Sequence, residues 1–159
     1  MSEAAFAPQT TELLARAAQL CHQRGARLTD LRRQVLGLIL DAEGPVGAYE
    51  LLDRLRAHRR AAAPPTVYRS LEFLQEQGLV HRIERLAAFV GCIESEPHAH
   101  AAQFLICRRC GRVTEMDDHA LGDALAAAAR RVGFAVSGAT VEAEGVCAGC
   151  AAGQGAAAR

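Results

Sequence analysis

Six cysteines and a loose group of histidines hold most of the chemistry available to this sequence. Four of the cysteines form two matched pairs, Cys107-Arg-Arg-Cys110-Gly and Cys147-Ala-Gly-Cys150. Each Cys-x2-Cys can present two thiolates from one tight turn. Two such turns brought together give the four-sulfur tetrahedron of structural Zn(II). Four thiolates leave no open position for a substrate, so the expected role is structural. The 36 residues between Cys110 and Cys147 exceed the interval of a simple zinc ribbon and fit a strand–helix–strand excursion between the knuckles.

A second constellation comprises His81, Cys92, His98, His100 and Glu115. Singly, His81 can be an edge-strand residue, Cys92 a core thiol and Glu115 a solvated charge. Together they make a mixed sulfur, nitrogen and oxygen set that suits Zn(II) better than Fe(II). Such a site would bridge the two halves of the chain and let metal set their orientation, as a sensor requires. Catalysis finds no foothold. No His-x-Glu accompanies a Pro-Cys-x2-Cys, and there is no His-Glu-x2-His and no Gly-x-Ser-x-Gly. A thioredoxin-like redox pair would open a helix after a strand, whereas both pairs read as strand-end turns.

The elements that must position these residues follow from periodicity. Over 10–25, Leu13, Leu14, Ala17, Leu20 and Cys21 share a helical face, with Gly25 as its stop. Thr29-Asp30 caps a second helix carrying Leu31, Val35, Leu38 and Ile39, ending at Gly44-Pro45. A third helix covers about 48–58 and a fourth runs from Pro65-Thr66 to Gly78. Two short strands, 79–84 and 88–92, then flank a turn at 85–87. Helices followed by a small hairpin make a winged helix-turn-helix, with the fourth helix as its recognition helix. Beyond Ile93, strands are expected at 103–107, 112–116 and 134–143, with a helix capped by Asp117-Asp118 and ended by Gly133.

The expected fold class is α+β: a winged-helix DNA-binding domain over 1–92, a hinge over 93–101, a small α/β dimerisation domain with a four-cysteine zinc site over 102–150, and a disordered tail over 151–159. On the fourth helix, Arg69 lies near the N-terminus, where an arginine can bond guanine O6 and N7 together. Thr66 and Tyr68 suit phosphates, Tyr49 can reach the same groove, and Arg27, Arg32 and Arg33 can hold the DNA backbone, though each also fits a solvated helix face. The run Arg54, Arg56, Arg59, Arg60 reads as solvated surface.

Formal net charge is zero. Residues 1–92 carry 12 Arg against 10 Asp+Glu and the remainder 6 against 8, a weak asymmetry. No apolar run approaches a membrane span, and the first ten residues lack the features of a signal peptide. The expectation is a cytoplasmic protein with reduced thiols.

The segments Arg27-Leu-Thr-Asp-Leu-Arg, Ala48-Tyr49-Glu-Leu-Leu-Asp, Pro64-Pro-Thr-Val-Tyr-Arg-Ser-Leu71, Gly78-Leu-Val-His81, Phe104-Leu-Ile-Cys-Arg-Arg-Cys-Gly111 and Gly145-Val-Cys-Ala-Gly-Cys150 resemble the ferric-uptake-regulator superfamily, most closely its zinc-uptake branch. The resemblance implies a homodimeric repressor with zinc as corepressor. It would read an AT-rich palindrome in double-stranded operator DNA and control zinc-acquisition genes, with no small-molecule substrate. By similarity, Cys107, Cys110, Cys147 and Cys150 match a structural zinc site. His81, Cys92, His100 and Glu115 match a regulatory one, making two Zn2+ per chain, with His98 a rival to His100. Tyr49 and Arg69 match base-reading positions. The competing expectations are an iron- or peroxide-responsive member, which would lack the Cys92 thiolate, and a zinc-stabilised protein-interaction module that touches no DNA.

Overall fold

The computed structural model describes residues 6–93 and 102–153. His98 and His100, expected in a hinge, lie outside the described residues, as does the expected tail beyond Gly153. The chain divides into two compact units, Met1–Pro97 and His98–Arg159.

In the first unit the elements run α1 (Pro8–Gln23), α2 (Asp30–Leu40), β1 (Val46–Gly47), α3 (Ala48–Arg56), α4 (Pro64–Glu76), β2 (Val80–Ile83) and β3 (Ala88–Gly91). The helices form where apolar residues recur at helical spacing. In α4 the buried positions are Val67, Ser70, Leu71 and Leu74, a stripe on one face. In α3 they are Leu51, Leu52 and Leu55, and in α1 Thr10, Leu14, Ala17 and Cys21. These faces meet α2 through Val35, Leu36 and Ile39 in one core cluster. Each fully buried Leu there contributes on the order of 1.5–3 kcal/mol. Pro64 and Pro65 occupy the first turn of α4, where their missing N–H groups cost nothing. Gly78 (φ 66°) ends that helix, and the Leu79 N–H reaches back 2.9 Å to the Leu74 carbonyl.

Three departures from expectation concern this unit. Helix α2 ends at Leu40 and not at Gly44-Pro45. Thr29 is its N-cap, yet the side chain makes no capping hydrogen bond. The wing has a third strand, β1, which pairs with β3 through Val46–Phe89 and Gly47–Ala88 and gives the order β1-β3-β2.

The second unit runs β4 (Ala102–Cys107), β5 (Val113–Met116), α5 (His119–Arg131), β6 (Thr140–Gly145) and the one-turn α6 (Ala148–Ala151). Asp118 caps α5 by accepting the Ala120 N–H at 2.9 Å. Strand β4 is central, antiparallel to β5 and parallel to β6. The core is small, with Phe104, Ile106, Gln103, Cys107 and Cys150 buried. No residue of α5 is buried, and Leu121, Leu125, Val132, Phe134 and Val136 are exposed.

Two sequence expectations fail here. Residues 134–139 are not strand. The Phe134 N–H is spent on the Ala129 carbonyl (3.0 Å) in the turn that closes α5, and pairing begins only at Thr140. The second Cys-x2-Cys is not a strand-end turn, because Cys147 is the N-cap of α6.

Candidate metal centre and nucleic-acid face

The parallel pairing of β4 with β6 explains how two motifs 36 residues apart in sequence come together. Parallel strands finish at the same end of a sheet, and Cys107 faces Gly145 in the register. Each strand therefore delivers its knuckle to the same edge. The first knuckle is closed by Gly111 (φ 72°), whose N–H meets the Cys107 carbonyl at 2.9 Å. The second begins the first turn of α6, with the Ala151 N–H on the Cys147 carbonyl at 2.9 Å.

The result is a cluster in which one sulfur from each of Cys107, Cys110, Cys147 and Cys150 lies within 4.8 Å of the others. The Cys110 and Cys147 sulfurs are 3.7 Å apart. Sulfurs bound to one Zn(II) at about 2.3 Å stand roughly 3.8 Å apart along a tetrahedron edge. The donor set and its spacing therefore fit zinc, and the fit lies in the protein's own geometry. All six cysteines are thiols, and none is in a disulfide.

Electrostatics point the same way. The Cys147 backbone N–H donates to Cys107 Sγ at 3.3 Å and, with further backbone donors at Cys110 and Arg109, pulls that thiol down to about 5. Burial, together with the neighbouring sulfurs, pushes Cys150 up to about 12. Four adjacent sulfurs cannot all be charged without a compensating cation, which a divalent soft metal supplies. One residue that sequence reasoning passed over also serves the centre. Arg109, inside the first knuckle, donates to the Cys150 carbonyl at 2.8 Å and clasps the two knuckles together. Its only sequence signal is its place between two ligands.

In the first unit, His81 and Cys92 are brought together, their ligand atoms lying within 4.8 Å. His81 is on β2 opposite Val90. Cys92 follows β3, is buried, and donates its N–H to the Leu79 carbonyl at 2.9 Å. In the second unit, Glu115 lies on β5 opposite Phe104 and is exposed.

The DNA candidates lie on the outside of the first unit. Tyr49 opens α3 and is 70% exposed; Tyr68 and Arg69 are exposed in the first half of α4, with Thr66 half-buried beside them. Arg27 is exposed in the loop before α2, and its carbonyl accepts from Arg32 at 2.9 Å. The Arg32 guanidinium lies 3.6 Å from the centre of the Phe73 ring, so Arg32 packs α2 against α4. The arginine run is only partly solvated surface. Arg54 pairs with Glu50 (2.6 Å), Arg56 with Asp53 (3.7 Å), and Arg59 reaches inward to Gln34 (2.6 Å). Among the described residues, no helix is long and apolar enough to cross a membrane.

A winged helix-turn-helix joined in one chain to a four-thiol centre defines a metal-binding transcription regulator. The ferric uptake regulator family model matches residues 23–144. The zinc uptake regulation protein of Escherichia coli (strain K12) is 43% identical over 141 residues, covering 89% of this chain and 82% of that protein. A zinc uptake regulator solved in complex with zinc and DNA superposes with a TM-score of 0.85 at 41% identity, covering 93% of this chain and 99% of that one. The holo form of XcZur gives 0.79 at 45% identity, covering 90% and 99%. The chain belongs to the ferric uptake regulator family, in its zinc uptake regulator branch. Members of this family regulate transcription and are not enzymes.

Proposed function

We propose that the chain is a zinc-responsive repressor that binds operator DNA as a zinc-loaded homodimer and controls zinc-uptake genes. The observation that carries this reading is the pairing of His81 with Cys92 in the wing, within 4.8 Å, on the same unit as the exposed Tyr49, Tyr68 and Arg69. A thiolate beside an imidazole favours zinc over iron. A related regulator binds both zinc and DNA, which supports the same two ligands here.

In this reading Cys107, Cys110, Cys147 and Cys150 hold a structural ion. His81 and Cys92, with His100 and Glu115, hold a regulatory one, making two zinc ions per chain; His98 is the alternative to His100. Bound zinc supplies a fixed tetrahedral link among groups that would otherwise repel or drift. Arg69 and Tyr49 read bases in the major groove, and Thr66, Tyr68 and Arg27 hold phosphates. The operator is an AT-rich palindrome matched to a two-fold dimer. The exposed apolar side chains Leu121, Leu125, Val132, Phe134 and Val136 of the second unit support dimerisation there. The protein works in the cytoplasm, where its thiols stay reduced.

Metal counting and gel shift test the reading together. Two zincs per chain are expected, one removed by mild chelation with loss of operator binding. Tighter activation by Fe(II) or Mn(II) than by Zn(II) would overturn the zinc assignment.

A further inference from the structure

Helix α2 carries a glycine in its interior, where glycine is the poorest ordinary helix former. The reason lies outside the helix. A Cβ added at Gly37 would stand 2.3, 2.5 and 2.7 Å from three ring atoms of Phe6. The Phe6 ring thus rests directly on the α2 backbone. Phe6 immediately precedes Ala7, the N-cap of α1. One turn further on, the buried Thr10 hydroxyl donates to the carboxylate of Asp41, the C-cap of α2. The start of α1 is therefore tied to α2 at two points, one apolar and one polar.

Between its ends α1 presses Leu14, Ala17 and Cys21 into the core, all fully buried. At its far end the exposed Arg24, its C-cap, donates from the guanidinium to the carbonyl of Gln77. Gln77 is the C-cap of α4. Its carbonyl is one of those a helix end leaves without an internal partner, and a cation there also complements the helix dipole. This bond joins two helix ends 53 residues apart in sequence.

We infer that α1 is a brace that sets how α4 is presented to DNA, and that Arg24 is the positioning residue at its working end. This rests on α4 being the DNA-reading helix. Arg69 lies eight residues before Gln77, about 12 Å along the axis at 1.5 Å per residue. A tilt of ~5° about the Gln77 end moves Arg69 by on the order of 1 Å, beyond the tolerance of a preorganised site. Arg32 stacked on Phe73 holds the C-terminal part of the same helix to α2, so the brace closes a triangle of α1, α2 and α4.

The test uses the full-length, zinc-loaded protein and two duplexes of equal length. One is selected by the wild type from a randomised pool, and the other is scrambled. Arg24→Ala is expected to weaken the selected duplex by about fivefold, the loss of roughly one hydrogen bond. Binding to the scrambled duplex and zinc per chain stay unchanged. Arg24→Lys, which keeps a cation and a donor, recovers most of the loss, and Phe6→Ala at the opposite end reproduces it. Equal weakening on both duplexes with a shallower salt dependence would make Arg24 a phosphate contact and overturn the inference. So would unchanged affinities accompanied by a lower melting temperature. If the wild type selects no duplex at all, the DNA reading of α4 fails, and amide exchange decides the brace by itself. Arg24→Ala should then speed exchange across residues 71–77 relative to α2, and no change overturns it.

Discussion

Cys107 on β4 stands opposite Gly145 on β6 in a parallel register. The Cys147 N–H, two residues further on, points 3.3 Å to the Cys107 sulfur. The backbone of the second knuckle thus addresses the first ligand of the first knuckle, and the four-thiol centre is continuous with the sheet. Replacing Cys107 by Ser is therefore expected to cost the second unit its fold, along with its zinc. Far-UV circular dichroism and zinc content check this together. A stable dimer with one fewer zinc and normal repression would sink the structural role.

The wing pair should behave differently. His81→Ala or Cys92→Ala is expected to leave the four-thiol zinc in place while removing zinc-dependent tightening on operator DNA. A chelation assay on each variant should find a single, slowly released ion per chain. If either variant still responds to zinc with wild-type steepness, His81 and Cys92 are not regulatory ligands.

The Arg69 side chain is exposed near the start of α4, off the buried stripe of Val67, Ser70, Leu71 and Leu74. Its replacement by Ala should weaken specific DNA binding by about 1–3 kcal/mol and relax the base preference at one position per half-site. Stability should change little. Competition gel shifts with permuted duplexes measure this, and an unchanged preference would remove Arg69 from base reading.

Core truncation makes the opposite separation. Leu74 is fully buried in the stripe that seats α4. Leu74→Ala should destabilise the first unit by about 2–5 kcal/mol and leave the four-thiol zinc untouched. Denaturant melts followed alongside zinc release check that independence.

The metal-free chain should respond to pH through its sulfurs. The folded Cys107 value of about 5 lies below the ordinary thiol value of 9.0, so the fold favours the thiolate. That contribution is complete above 9.0, shrinks as pH falls, and is gone below about 5. Cys150, held up at about 12, contributes in the opposite sense: fully below 9.0, lost as pH rises through about 12. Ultraviolet thiolate absorbance of zinc-free protein should persist at neutral pH and fall as pH is lowered through about 5. Four protonated thiols at neutral pH would contradict it.

Much of this was legible in the residues because it is local. Leu at positions 51, 52 and 55 or Val67, Leu71 and Leu74 declare a buried helical face within two turns. The Cys-x2-Cys pairs declare soft-metal chemistry within four residues. What escaped depends on distant partners. Strand β1 is two residues long and exists only because Phe89 and Ala88 pair with it. The apolar look of Phe134–Ala139 suggested a strand, but among the described residues pairing with β4 begins where Ala102 meets Thr140. Nothing in the sequence around Arg109 or Gly37 announces the Cys150 carbonyl or the Phe6 ring that gives each its purpose. Of the expected regulatory ligands, His81 and Cys92 come together within the first unit, Glu115 lies on β5, and His98 and His100 fall outside the described residues.

The parallel pairing of β4 with β6 has a consequence for how the chain reaches its fold. Parallel strands have no hairpin to bring them together, and closing the intervening loop before any contact is made is entropically slow. An ion captured early by the two knuckles would act as a reversible cross-link on the unfolded ensemble and turn a long-range search into a short one. Zinc supply would then govern the rate at which new protein matures, as well as what the mature protein does.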